Sequence, residues 1–468
     1  MADLNDIDHF VVLMLENRSF DNLFGFLSYP PGVAFDGLRG TESNTDAQGK
    51  AHTVHAAPDN PRALWLPDPD PGEAYTDINQ QIFGNAAGTG VANMSGFARN
   101  YQGLERPGAP DDILHCFAPG EVPALQALAR AFAVCDRWFA AAPCQTWPNR
   151  FFVHTGTAGG YENNAPTHFP YRMPTVFNAI ERQAPDGWTI YFHDFPQSLT
   201  LSALWTRLDR FRPFAEFLDN AASGHLPSYS FIEPRYFPDL NWPNDMHPPH
   251  NVAYGDQLVA AVYNALRASP CWPSTLLVIT FDEHGGCYDH VPPPAAPAPE
   301  APQPGQVFAF DRFGVRVPTV VVSPYVAPGT VFRSPLDQPY DHTAIIKTLC
   351  RRFGVAAALT ARDAGAPDLG GVLTLDAPSN DGPASLAAAP SPPQDDDEAL
   401  EQARLAPLND FQSALHDAAN RLAPLLHGVS APDHIAALAQ GYAPAPVIAD
   451  NAIDALQSIG NLVGKLLR

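Results

Sequence analysis

Basic residues are scarce in this chain: 27 Lys and Arg stand against 50 Asp and Glu, a formal net charge of −23. That balance excludes binding of nucleic acid through a basic surface and docking on anionic lipid through a polybasic patch. It leaves open a lipid substrate reached by apolar insertion, with a transient contact at a membrane surface. Long apolar runs are missing too. VVLML near the start is too short for a membrane span or a secretory core, and MADLNDIDHF carries no basic n-region. The expectation is a cytoplasmic protein, or one exported without a cleaved signal or already freed of its leader. The six cysteines lack metal-ligand spacing, and an even count permits disulfides without implying them. No internal repeat is visible. Proline is plentiful, at 50 residues, which indicates stiff, loop-rich connections. At 468 residues the chain can bury one large core with additions, or two domains.

The organising stretch is TLLVITFDEHGGCYDH, from Thr275 to His290. Leu276 to Thr280 predicts a buried parallel strand that breaks into Asp282-Glu283, Gly285-Gly286 and Asp289-His290. Ligands in open α/β sheets sit beyond the carboxyl ends of strands. Two adjacent carboxylates there suit a hard or borderline cation with oxygen ligands. A polar turn whose glycines supply positive φ is the plainer alternative.

Ile7 to Leu15 repeats the pattern and delivers Glu16-Asn17, with Ser19 and Asp21 following. Asn17 reads either as a ligand or as a helix N-cap. Residues 29–77 are Pro-, Gly- and Asp-rich loop; Ile78–Phe83 and Val91–Tyr101 predict short helices. ALQALARAFAVCDRWFA predicts a helix running into a strand. TWPNR then places Thr146 at a strand-to-helix junction, where a hydroxyl is positioned to attack phosphorus with dipole support or simply to cap the helix. His154 reads as structural. GWTIYFHD predicts a strand ending on His193-Asp194, and LPSYSFIEP one ending on Glu233. Asp245, His247 and His250 precede a long amphipathic helix, with His247 the stronger site candidate. VPPPAAPAPEAPQPG reads as an extended excursion. Phe308–Val315 and Arg316–Pro324 have strand character, and YDHTAIIKTLCRRFG predicts a helix with His342 at its start. The composition shift over 377–398 predicts a mobile linker, and helices over 398–427 and 449–468 follow. The latter's stripe of Ile453, Leu456, Ile459, Val463 and Leu466 fits core or a partner contact better than a membrane anchor.

Together LENRSFDNLFG, TWPNR, DMHPPHNVAYGDQLV, VITFDEHGGCYDHVPPP, RVPTVVVSPYVAPG and YDHTAIIKTL resemble the phosphoesterase family of non-haemolytic and non-specific phospholipases C and related acid phosphatases. They occur in the family's order over roughly residues 5 to 355. The resemblance implies an α/β three-layer sandwich of the alkaline phosphatase type, a mostly parallel sheet flanked by helices, with a helical C-terminal extension. The expected partition is a catalytic domain over 1–376, a linker over 377–398 and an extension over 399–468. The resemblance also implies Glu16, Asn17, Asp282 and Glu283 as ligands of a divalent metal shared with Thr146, with calcium, iron, zinc and manganese all open. It makes Thr146 the nucleophile and places Asn17, His247 and His193 among the catalytic residues. One departure stands out: Glu73 occupies a position where many relatives carry histidine.

The leading expectation is phosphoester hydrolysis of the phospholipase C type. Acid phosphatase activity on monoesters is the alternative within that class. A non-catalytic binding protein, or a sulfoesterase or other transferase on the same fold, is the alternative outside it.

Overall fold

The computed structural model describes residues 2–392, 395–423 and 449–466. Its centre is an eight-stranded sheet made by β1 (His9–Leu15), β2 (Ala133–Cys135), β3 (Trp188–Phe192), β4 (Phe211–Pro213), β5 (Tyr229–Glu233), β6 (Thr275–Phe281), β7 (Thr319–Val322) and β8 (Thr330–Phe332), in the order β8-β2-β7-β6-β1-β5-β3-β4. Neighbours run parallel except at β7, which is antiparallel to both β2 and β6. The near-continuous apolar runs of β1 and β6 are what parallel central strands need, because helices cover both faces. Their register pairs Leu15 with Phe281. Glu16 and Asp282, the next residues, therefore leave the sheet side by side.

The short α1 (Phe20–Phe24) and α2 (Tyr75–Phe83) stand beyond the strand ends. On one face α3 (Pro123–Ala131) and a helix over 214–223 pack against α5 (Val252–Ala268). On the other, α4 (Thr146–Thr155) packs against α6 (Thr343–Arg352). This is the expected three-layer α/β architecture. All six cysteines are buried and unbridged. No helix among the described residues is long and apolar enough to cross a membrane.

Two expected elements differ. Residues 308–315 form no strand: Asp311-Arg312 interrupts the run, Arg312 makes only an isolated bridge with Ala295, and Phe310 and Phe313 instead anchor small apolar clusters. The helix expected over 91–101 is confined to Phe97–Gln102, because the Asn93 side chain accepts from Ser95 N and Oγ and holds a turn instead.

The C-terminal extension comprises α7 (Asp397–Leu405), α8 (Asp410–Leu422) and α9 (Ala452–Leu466). The helix end expected near 427 lies outside the described residues. α9 buries Ala452, Ala455, Ile459 and Leu462 in the core, beside α8. The preceding connection is not loose. It runs along α5, whose outward face donates to it: Tyr263 to Pro383 O (2.6 Å), Asn264 to Leu386 O (2.9 Å), Gln257 to Ala389 O (2.8 Å) and Tyr254 to Asp395 Oδ2 (3.0 Å).

Beside the strand tips lies a buried charge network. Arg316 reaches Asp21 (2.9 Å) and Asp289 (3.0 Å), while His290 bonds Asp21 (2.6 Å) and Asp36 (3.3 Å). Burial alone would lower the His290 pKa, but hydrogen bonds to Asp21 and Asp36 outweigh it and hold it at about 10, above its ordinary 6.5. A folded pKa raised in this way contributes stability that is fully present below the unfolded value and lost as pH rises through the folded one. The urea midpoint should therefore fall between about pH 6.5 and 10, and His290→Gln should flatten that part of the curve. Superimposable pH curves for the two proteins would refute the assignment.

Candidate active site

β1 hands Glu16 and Asn17 to a tight turn in which Asn17 adopts a left-handed conformation, φ 56°. Asn17 is not a helix cap: Ser19 caps α1, its Oγ accepting from Asn22 N. A non-glycine residue held at positive φ is uncommon, and its neighbours must enforce it. Here Asn17 N donates to Asp282 Oδ1 (2.9 Å) and Asn17 Nδ2 to Glu73 Oε1 (2.5 Å). The two strand ends are thus stitched together by hydrogen bonds.

Thr146 is the first residue of α4, and its hydroxyl lies 3.2 Å from Glu16 Oε2 and 3.3 Å from Asn17 Oδ1. The turn before it is held by Asn149, which bonds Ala142 N and O and donates to Cys144 O (2.8 Å). One turn after Thr146 on the same helix face, Arg150 pairs with Glu16 Oε1 (2.5 Å) and donates to Met14 O. Gln197 donates to the same Glu16 oxygen (2.9 Å), and Glu233 fixes Gln197 by accepting its backbone N–H. His342 Nε2 meets Asp282 O at 2.6 Å, which ties α6 to the tip of β6.

Desolvation dominates the electrostatics. Burial pushes the Glu16 carboxyl well above its ordinary value; Arg150 pulls it back and Asp282 pushes it further. Burial, then Asp282, raises Glu283, and burial with Asp70 and Glu283 raises Glu73. Asp282 Oδ2 and Glu283 Oε1 are buried with no hydrogen-bond partner. Anionic oxygens stripped of water and donors are costly unless a cation compensates them. The donor set of Glu16, Asn17 Oδ1, Asp282, Glu283 and the Thr146 hydroxyl therefore fits a divalent metal ion.

His247 also lines this space. It is fully buried, and its ring stacks at 9° on Phe411 of α8, 5.7 Å between centroids. Burial holds its pKa down at about 4. The extension thus reaches the site, and Gln412 secures it by donating to Tyr236 O (2.8 Å). A cavity of about 560 Å³ opens between α8 and residues 163–166, reaching Gln145 beside Thr146.

His193 is not brought to this site. It bonds Glu233 O (3.0 Å), stacks on Phe214 and faces a separate cavity with Trp242 and Tyr254. Its strand, β3, lies two places from β1, beyond β5, and the chain leaving its tip meets Glu16 through Gln197 instead. His154 packs between Phe177 and Phe231 in the core. Arg150, Gln197 and Asp70 are site residues that sequence reasoning missed. Only Arg150 left a signal, its spacing of four from Thr146.

The family model "Phosphoesterase family" matches residues 7–356. The chain is similar to non-specific phospholipase C6 of Arabidopsis thaliana, 39% identical over 394 residues that cover 80% of this chain and 74% of that one. It is 36% identical to non-specific phospholipase C3 of the same plant, with coverage of 83% and 77%. Among solved structures, a Vibrio parahaemolyticus protein in the alkaline phosphatase superfamily aligns with a TM-score of 0.33 at 13% identity, covering 53% of this chain and 63% of that one.

Gly285, at φ 58°, packs so closely on the Asn17 turn that an added Cβ would collide with the Asn17 backbone oxygen. Gly285→Ala should cost about 1–3 kcal/mol in urea denaturation and depress turnover more than a surface Gly→Ala control such as Gly371→Ala. Unchanged stability would mean that the turn is not held as described.

Proposed function

The chain belongs to the phosphoesterase family and is a phosphoric ester hydrolase; from that premise we propose that it hydrolyses phosphoesters through Thr146, in phospholipase C-type cleavage of phospholipids. The observation that carries the reading is the Thr146 hydroxyl, set at a helix N-terminus with its proton between Glu16 Oε2 and Asn17 Oδ1. The substrate class is supported by the likeness to non-specific phospholipases C.

In this reading Glu16, Asn17, Asp282 and Glu283 would hold a divalent cation with Thr146. When bound, the cation supplies Lewis acidity that activates the hydroxyl and draws charge from a phosphoryl oxygen. Asn17 and Glu16 orient the hydroxyl so that an oxygen lone pair faces phosphorus. Arg150 opposes the effect of burial on Glu16 and favours its ionised form, and its Nε and Nη1, buried without partners, add positive potential to the pocket. Thr146 Oγ1 passes its proton to Glu16 Oε2 as it attacks phosphorus, the P–O bond to the leaving group breaks and that oxygen takes a proton from water, and a further water cleaves the phosphothreonine to release the phosphate product and restore Thr146. The leaving group exits on the side lined by His247 and Glu73, with Phe411 closing the wall. The same proposal assigns residues 1–376 to the catalytic unit, 377–398 to a connection and 399–468 to an extension that completes this wall.

Thr146→Ala should cut turnover by about a thousandfold or more while the fold and metal content persist, and Thr146→Ser should retain partial activity. Rapid quench should trap phosphate on Thr146, and chelation should abolish turnover reversibly. The assay should compare phosphatidylcholine with p-nitrophenyl mono- and diesters. A fully active alanine variant would overturn the nucleophile, and monoesters alone being cleaved would make the enzyme a phosphatase.

A further inference from the structure

The cavity of about 560 Å³ beside Thr146 has two unlike walls. One is made by Gln145, the residue before Thr146, and by residues 163–166. The other is the face of α8 that carries Asp410, Ser413, Ala414 and Asp417. Those positions recur at helical spacing, so a single stripe of α8 lines the cavity. The walls differ in the polar group that each leaves without a partner.

On the first wall the free group is a donor. Asn164 Oδ1 accepts from Trp147 N (2.8 Å), and Asn164 N donates to Gln145 Oε1 (2.9 Å). Because the Trp147 N–H needs an acceptor, the oxygen end of the Asn164 amide faces it and the NH2 end is left over. Asn164 is only 4% exposed, and its Nδ2 has no acceptor among the described residues. Its tie to Trp147 holds this donor next to the turn that presents Thr146. A desolvated donor in that place suits an anionic phosphoryl oxygen.

On the α8 wall the free group is a carboxylate. Asp417 is committed to Arg421 (3.1 Å), whereas Asp410 makes no ion pair among the described residues. The Asp410 charge also reaches the reaction pocket: after burial, it is the largest influence raising the Asp70 carboxyl above its ordinary value. An unpaired carboxylate beside a phosphoester site repels a purely anionic substrate. A substrate with a cation near its phosphate turns that repulsion into attraction. Leu408, Pro166 and Ala414 supply apolar lining for the methylene and methyl groups of such a head.

We propose that this cavity is a headgroup subsite in which Asn164 Nδ2 meets a phosphoryl oxygen and Asp410 meets the positive end of the head, so that the enzyme selects zwitterionic phosphodiesters bearing an ammonium group, as in choline or ethanolamine heads. This rests on the phosphoesterase reading of Thr146. The carboxylate acts on both sides of the selection: it attracts a cationic head and rejects a phosphomonoester, whose second negative charge has no cation to offset it. Asp410 lies beyond residues 7–356, the segment matched by the family model, so the C-terminal extension supplies the selectivity.

Two soluble diesters, p-nitrophenyl phosphorylcholine and methyl p-nitrophenyl phosphate, share a leaving group and differ only in the head. With the full chain, kcat/KM should favour the choline ester. Asp410→Asn should reduce that preference about three- to tenfold, and Asp410→Lys should reduce it further. Added salt should weaken the preference as well. A purely structural role for Asp410, where a first-turn carboxylate favours the helix, would lower both rates together and leave their ratio intact. Asn164→Asp keeps the oxygen that accepts from Trp147 N and replaces the free donor with an anionic oxygen, so it should depress turnover of both esters. Equal kcat/KM for the two esters in the wild type, or a ratio unmoved by Asp410→Asn, would overturn the subsite and leave the phosphoesterase reading standing. So would a fully active Asn164→Asp. A wild type that cleaves neither ester would overturn both.

Discussion

Everything around the site answers one constraint: carboxylates that repel one another are held together out of water. The parallel register of β1 and β6 brings Glu16 and Asp282 side by side, and loops add Glu283, Glu73 and Asp70. Like charges in a desolvated pocket are expensive without compensation. The protein compensates partly with Arg150, whose guanidinium lies against Glu16, and partly with backbone and amide donors from Asn17, Gly285 and Gln197. These donors leave Asp282 Oδ2 and Glu283 Oε1 uncovered, and those are the oxygens the proposed cation would meet.

The same constraint explains the strained and rigid parts nearby. Asn17 and Met246 both hold positive φ, at 56° and 74°, directly before or within the turns that present the side chains of the site. Such conformations persist only when surroundings over-determine them. Asp282 and Glu73 accepting from Asn17, and Arg18 donating to Met246 O, supply that determination, while Asn149, His342 and Glu233 hold the turn before Thr146, the Asp282 carbonyl and Gln197. The cluster of Asp21, Asp289 and His290 shows the contrast. It has a similar ligand composition, but Arg316 already fills its charge demand, so it functions as a structural brace.

The C-terminal extension changes the character of the pocket. Phe411 stacks on His247 and meets Tyr236 edge-on at 5.4 Å, so the imidazole is covered by a ring contributed from outside the segment matched by the family model. A connection whose composition reads as a loose linker is instead fastened to α5 by side chains spaced along one helical face. Pro- and Ala-rich composition reports the lack of regular structure in such a segment. It does not report donors waiting on another helix.

By itself the sequence determined the parts whose signals are local. Apolar runs ending on Glu16-Asn17 and Asp282-Glu283 specify two buried parallel strands and the polar turns at their tips, because period and burial are properties of consecutive residues. TWPNR specifies a helix that begins on a hydroxyl. Tertiary structure alone decided the rest. It set which strands are neighbours, so Glu16 met Asp282 while His193, equally well placed at a strand end, was carried to another cavity. It brought Asp70 and Gln197 from loops with no periodic pattern, and Phe411 from about 160 residues beyond His247. Charge balance in a desolvated pocket is a sum over groups distant in sequence, and it acquires a value only once the chain has closed around it.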